Sequence, residues 1–266
     1  MRSDVDVGIR CSHATCPKTW LIPLVLVAVG VTLHLSGLDR FVSDQFFDAS
    51  AGVFARRHDQ QLELWGHLRL RSAVVLVWLC TLFGAFASLG SSRLRPYRSV
   101  LWSLTAAMVL GPLAVVVLKN TTSYPCPWDL HRYGGSAGIP TTVFAVPTAS
   151  GRCFPSGHSA GGFSLVAFYF AAIALRRRRL AKMFLLSALI AGTTFSAVRI
   201  VQGAHFLSHA FWAAAIDWVV AALVFAARAR WTARRLDHPG VGQLSTGQTN
   251  APLLESRQGA ALRPGA

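Results

Sequence analysis

Charge is what this sequence has least of: 14% of its 266 residues are Asp, Glu, Lys or Arg, against roughly 25% in an ordinary soluble domain. That deficit, beside 53% hydrophobic residues, excludes a fully solvated surface and points to lipid as the surrounding medium. Acidic residues are scarcer still, 11 against 26 Lys and Arg, for a formal net charge of +15. A basic excess can signal nucleic acid, but such binders carry their cations on a soluble face and do not alternate them with long apolar runs. No nucleic-acid partner is therefore expected. The Cys, His and carboxylate residues of the loops show no zinc-type spacing, so neither a metal nor a cofactor is expected. Ionisable residues near the middle of apolar runs are few, His34 and Asp217 being the obvious ones, which argues against a transporter or channel.

What is abundant is the apolar run long enough to cross roughly 30 Å of hydrocarbon as a helix. Six such runs cover about 20–38, 72–89, 99–118, 159–175, 183–198 and 210–227. The fold class expected is all-α, a polytopic membrane bundle of about six helices. The first run follows basic residues, as a secretory signal does, but it is long and has no small-x-small cleavage site, so it reads as a retained anchor. Most Lys and Arg fall in the N-terminal segment, after the second and fourth runs, and after the sixth. By the positive-inside tendency both termini are cytoplasmic. The division expected is a cytoplasmic N-terminus over 1–19, a membrane domain over 20–236 and a tail over 237–266. Within the membrane domain, 39–71 mixes both charge signs with Phe41, Phe46, Phe47, Phe54 and Trp65, as amphipathic helices on the periplasmic interface would. The tail is rich in Gly, Pro, Ser and Gln and reads as disordered.

Under this topology three polar islands fall at the outer face: 119–132, 152–159 and 199–209. Polar clusters at membrane boundaries are costly and mark function by default. The middle island, Cys153-Phe154-Pro155-Ser156-Gly157-His158-Ser159, is a tight turn entering an apolar helix. Backbone N–H groups there favour an anion, Ser156 can donate a hydrogen bond and His158 a proton; the plainer alternative is an ordinary helix cap. In the third island Arg199 offers a planar fork for phosphate oxygens, and His205 a ring nitrogen able to attack phosphorus. Taken alone, Arg199 reads equally as a side chain snorkelling to headgroups. Together the islands hold the parts of phosphoryl transfer through a covalent intermediate. Cys126 and Cys153 sit in adjacent islands, either bridged in an oxidising periplasm or as two buried thiols.

These residues resemble the type 2 phosphatidic acid phosphatase (PAP2) superfamily, whose motifs are Lys-x6-Arg-Pro, Pro-Ser-Gly-His and Ser-Arg-x5-His-x3-Asp. Pro155-Ser156-Gly157-His158 is complete and Arg199-x5-His205 keeps the interval. The resemblance implies that His205 is the nucleophile, that His158 protonates the leaving oxygen, and that Lys119, Arg199, Ser156 and the Gly157 N–H hold the phosphate, without a metal. Three positions depart. The first-motif arginine falls on Cys126, with Arg132 expected to replace it in phosphate binding. Val198 stands where the family has Ser, with Ser196 nearby. His209 stands where the family has the aspartate that orients the nucleophile, so His209, or a carboxylate such as Asp129, Asp44 or Asp48, takes that role. A neutral imidazole can fix a tautomer but cannot stabilise an imidazolium as a carboxylate does. Asp217 lies too far along its helix and reads as a polar residue paired inside the bundle.

The function expected is a metal-independent phosphatase of a bacterial-type inner membrane, acting on a lipid phosphate such as lipid A, a polyprenyl diphosphate, phosphatidate or phosphatidylglycerol phosphate. Two alternatives stay open: a lipid phosphotransferase using the same phosphohistidine, and a non-catalytic lipid-phosphate binder suggested by the altered motif positions. The lipid bilayer is the expected surrounding, and the oligomeric state is not encoded legibly.

Overall fold

The computed structural model describes residues 17–139 and 151–237. The expected N-terminal segment, apart from its last residues, and the tail beyond Asp237 lie outside the described residues. Among the described residues five helices are long and apolar enough to cross a membrane, at Leu62–Gly90, Arg95–Lys119, Gly157–Ala174, Arg178–Val201 and Leu207–Arg234. A sixth is counted if the bent pair Thr19–Leu35 and Leu38–Asp44 is one span. The chain is thus an all-α, multi-pass membrane protein whose one sheet among the described residues is a hairpin of two two-residue strands.

Helix α1 (Pro17–Leu35) ends at a turn where Gly37 takes φ +79°, and α2 (Leu38–Asp44) leaves at 68° to it. A left-handed φ is cheap only without a Cβ, so this bend is written into the sequence. The segment expected as amphipathic helices is instead mixed. After α2 come β1 (Phe47–Asp48) and β2 (Val53–Phe54) as an antiparallel hairpin, then a π-helical stretch, Leu62–Arg69, that continues into α3 (Leu70–Gly90). The hairpin forms because Asp48 Oδ1 accepts from the Ser50 N–H and hydroxyl and the Ala51 N–H, an Asx turn closed by Gly52. Helix α4 (Arg98–Lys119) follows a short 3₁₀ turn. The fourth span, Gly157–Ala174, is interrupted by a turn at Ser164 and Leu165, which divides it into α5 (Gly157–Phe163) and α6 (Val166–Ala174). Helices α7 (Arg178–Val201) and α8 (Leu207–Asp237) are longer than their apolar runs because basic turns extend them.

Helix α8 lies at the centre, against α1, α4, α5 and α6. Its inner face presents Ala213, Ala221, Ala222 and Ala226, which with Ala107, Ala167 and Ala171 let helix axes come close around Phe170, Trp218 and Phe225. At the α5–α7 crossing a Cβ on Gly162 would stand 2.7 Å from the Cα of Gly192, so neither position has room for a side chain. Large apolar side chains face outward instead, Leu24, Leu76, Phe83, Val117 and Met183 among them, as a lipid-facing belt requires and a soluble surface would not tolerate. Asp217 does not match its expected pairing: it is 2% exposed, and neither carboxyl oxygen has a hydrogen-bond partner among the described residues. A Cβ on Gly111 of α4 would fall on its Oδ1, so the carboxyl fits only against a glycine.

Because α4 and α7 end where α5 and α8 begin, Lys119, Gly157, Arg199 and Leu207 all lie at one end of the bundle. The turn from α1 to α2 and the start of α3 are placed at that same end by the chain's alternation.

Candidate functional site

Backbone hydrogen bonds, not side chains alone, bring the three islands together. The Cys153 N–H donates to the Tyr124 carbonyl at 2.9 Å, and the Thr122 hydroxyl donates to the Phe154 carbonyl. The Trp128 N–H donates to the Gly203 carbonyl at 3.0 Å, and the Ser156 N–H to the His209 carbonyl at 3.4 Å. A disulfide between Cys126 and Cys153 closes the first island onto the second. Of the two alternatives left open for these cysteines, the bridge is the one formed.

Ser156 caps α5. Its Oγ accepts from the Ser159 N–H at 3.3 Å and from the Ser159 hydroxyl at 2.7 Å, which leaves its own O–H to point onward. Ser196, two residues before the position where Val198 departs from the motif, lies 2.8 Å from Ser159 Oγ. The serine at the neighbouring position thus reaches the cap through a hydroxyl relay. A Cβ on Gly157 would meet no atom within 4 Å, so the backbone at the start of α5 faces open space.

His205 is 4% exposed and lies between the ends of α7 and α8. Gly203, with φ +73°, turns the chain there and packs so closely on Phe54 that a Cβ would clash with the ring. The Nδ1 of His205 stands 3.4 Å from His209 Nδ1 and 3.4 Å from Cys153 Sγ. The His158 and His205 rings face each other at 6.2 Å between centroids. Burial, then the neighbouring His209, Lys119, His158 and Arg199, holds the His205 imidazole well below the usual histidine range, hence neutral near pH 7. Cys153, His205 and His209 have ligand atoms within 4.8 Å of one another, but the sulfur is consumed in the disulfide, so no thiolate is available to a metal.

Arg199 is largely buried. Its Nη1 donates to Gln202 Oε1 at 2.8 Å, Glu63 Oε2 lies 3.6 Å away, and the guanidinium sits 5.7 Å from the Trp128 ring centroid. Its Nε has no hydrogen-bond partner among the described residues. Lys119, at the last turn of α4, is half-buried and lines a groove of about 480 Å³ with Gly157 and His158. The groove continues past Gly161 and Ser164 on α5, Trp78 on α3 and Met108 and Pro112 on α4. It is polar at its Lys119 end and apolar along its length.

The structure does not bring Arg132 into this group. Its guanidinium makes a two-pronged contact with Asp44, at 3.1 and 2.8 Å, which the Tyr133 hydroxyl also bonds. Neither the groove nor the neighbours of His205 include it. The carboxylates weighed for orienting His205 are placed elsewhere too: Asp129 ends the short 3₁₀ turn Pro127–Asp129, Asp44 is held by Arg132, Asp48 closes the hairpin turn, and among the described residues no carboxylate hydrogen-bonds His205. His209 occupies that position. Sequence reasoning missed Asp39, 3% exposed, which accepts from the Ser208 N–H at 2.8 Å and from the Ser208 hydroxyl, and so caps the helix that carries His209. Its position at the bend after α1 was the available signal. Glu63, which faces Arg199 from the π-helical stretch, carried none.

The PAP2 superfamily family model matches residues 100–233, half of the chain. No curated protein and no solved structure gives a match.

Proposed function

The chain belongs to the PAP2 superfamily, a family of phosphatases acting on phosphate esters, and from that premise we propose that it hydrolyses a lipid phosphate through a phosphohistidine on His205. The observation that carries the lipid part of this reading is the groove: cationic and hydrogen-bonding groups gather at one end, and the remainder is apolar and open toward the membrane-facing helices. A phosphate held at Lys119 would leave its acyl or prenyl chain between α3, α4 and α5.

In this reading His209 and Cys153 occupy the Nδ1 side of His205, so Nε2 is the nitrogen with a lone pair for phosphorus. His209 Nδ1, 3.4 Å away, accepts from His205 Nδ1–H and fixes the tautomer. Contacts of this length in an unliganded site tighten as charge develops. Arg199 through its unengaged Nε, Lys119, the Ser156 hydroxyl and the Gly157 N–H bind the phosphate oxygens, where preorganised donors act most strongly. His158 gives its proton to the leaving oxygen, and water then attacks the phosphohistidine to release phosphate. The distribution of Lys and Arg supports an inner membrane with both termini cytoplasmic and this site on the periplasmic face.

The test uses purified protein in detergent with no added metal, a long-chain phosphatidate, and a short-chain ester of the same headgroup. The native protein should cleave both, and His205→Ala neither. Gly161→Phe, which puts a ring into the open space beside Gly161, should lower kcat/KM for the long-chain ester by more than about tenfold, roughly the worth of burying a few methylenes, while sparing the short one. Equal losses on both esters, or phosphate release unchanged in His205→Ala, would refute the reading.

A further inference from the structure

The first motif of this chain lacks its arginine, and Arg132 is taken up by Asp44. A different arginine stands at the groove. Arg71, in the first turn of α3, lines its wall beside Lys119, Gly157 and His158. Its neighbours are already engaged: Arg69 stacks on Trp65 at 3.7 Å, Arg57 lies 4.8 Å from the Trp128 ring centroid, Arg56 pairs with Asp59 at 2.6 Å and Arg199 faces Glu63. Arg71 has no carboxylate partner among the described residues. A guanidinium that no carboxylate neutralises, exposed to the groove beside Lys119, favours an anion there.

Its place along the groove says which anion. His205, His209 and Arg199 are absent from the groove lining, whereas Lys119, His158 and Arg71 are part of it. Arg71 thus shares with His158, the residue that protonates the leaving oxygen, the groove that would take the leaving group and its tail. A monoester's leaving group is an alkoxide that His158 neutralises with a proton and that needs no further cation. A lipid diphosphate leaves as a lipid monophosphate, which carries negative charge into the groove. Resting on the reading of function given above, we infer that Arg71 is a specificity-determining residue that binds the lipid-proximal phosphate of a lipid diphosphate.

The step balances without further reagents. His205 Nε2 bonds to the terminal phosphorus as the bond from that phosphorus to the bridging oxygen breaks. The lipid monophosphate departs with the bridging oxygen, and with the His158 proton, while Arg71 holds its charge. Water then cleaves the N–P bond, releasing inorganic phosphate and restoring His205.

The test compares a C15 prenyl diphosphate with the C15 prenyl monophosphate on the native protein, Arg71→Gln, Arg71→Lys and His205→Ala. Arg71 is exposed to the groove and outside the packed core, so its substitution should leave the fold intact, which thermal unfolding checks. The expected result is a fall of about tenfold in the diphosphate-to-monophosphate ratio of kcat/KM for Arg71→Gln, with part of the ratio restored by Arg71→Lys, whose charge lacks the planar fork. An unchanged ratio, as expected if Arg71 only snorkels to headgroups, would overturn the inference, as would a native protein that cleaves the monophosphate alone. In both cases the loss of activity in His205→Ala would leave the phosphatase reading standing. Full activity of His205→Ala on both substrates would remove the two together.

Discussion

The two ends of this helical bundle are both rich in arginine, yet they hold it in opposite ways. At one end Arg199 is largely buried against Glu63, Gln202 and Trp128, and Arg132 is clasped by Asp44. At the other, Arg93 and Arg95, then Arg176, Arg177, Arg178 and Arg179, stand exposed around the turns between helices. Arg98 alone among that group turns inward, donating to the Ser88 carbonyl at 3.1 and 2.7 Å to close the end of α3. Exposed arginines at helix turns suit a charged membrane surface and set topology. A buried arginine has lost its hydration and is kept only where partners or a ligand replace the water. Burial, more than charge, separates Arg199 from the exposed turn arginines.

The contrast can be broken most sharply by substitution. Arg199→Ala should lower kcat/KM for a lipid phosphate about 100-fold, the loss of one preorganised donor to a transferring phosphoryl group, whereas Arg178→Gln with Arg179→Gln should change it less than about twofold. Steady-state kinetics on both variants decides this, and equal effects would erase the distinction between the ends. Arg199→Lys should recover only part of the loss, since one ammonium cannot present the fork.

Among the described residues, covalent constraint also belongs to one end. The Cys126–Cys153 bridge spans 27 residues in sequence, so reducing it should cost about 3 kcal/mol of stability by loop-closure reasoning. The expected observation is a lower unfolding temperature and a loss of phosphatase activity while helix content stays unchanged. Activity unaffected by reductant would mean that backbone hydrogen bonds alone hold the islands.

A third expectation concerns protonation. Burial disfavours the charged imidazole, so the folded pKa of His205 lies well below the usual value and the neutral, nucleophilic form persists as pH falls. The kcat/KM profile, which reports the free enzyme, should show no acid-side decline between pH 7 and about pH 6. A decline centred near pH 6.5 would contradict the environment described for this ring. The smallest effect is expected at Arg132: it is more than half exposed, at 57% for the side chain, so Arg132→Ala should cost about 1 kcal/mol or less of stability and change kcat/KM less than about threefold. A loss as large as that of Arg199→Ala would return Arg132 to the phosphate.

Much of this is legible in the sequence. The apolar runs located every long helix, because crossing hydrocarbon demands length and composition that few other structures share. Cys126 and Cys153 were recognisable as a possible bridge, and the convergence of the three islands followed from counting helices. What could not be read were the pairings set by how each helix is rotated and where the loop before α3 folds back. Arg132 meets Asp44 across 88 positions and Ser208 meets Asp39 across 169, and no local pattern announces either. The break at Ser164 was hidden because neither a proline nor a charged residue marks it. Asp217 misled for a physical reason: the expectation that a buried carboxyl is paired holds for most proteins, but here a glycine on the facing helix makes room for it instead.

The claim on which the rest depends is that one phosphate sits between two imidazoles, with His205 bonded to it in passing. Rapid quenching of the native protein with a lipid substrate labelled at its terminal phosphate tests this directly. The expected result is a protein-bound phosphate, stable in base and labile in acid, that peptide mapping places on His205 and that forms and decays fast enough to account for turnover. Phosphate released at the native rate with no label on the protein, or the same label in His205→Ala, would contradict it.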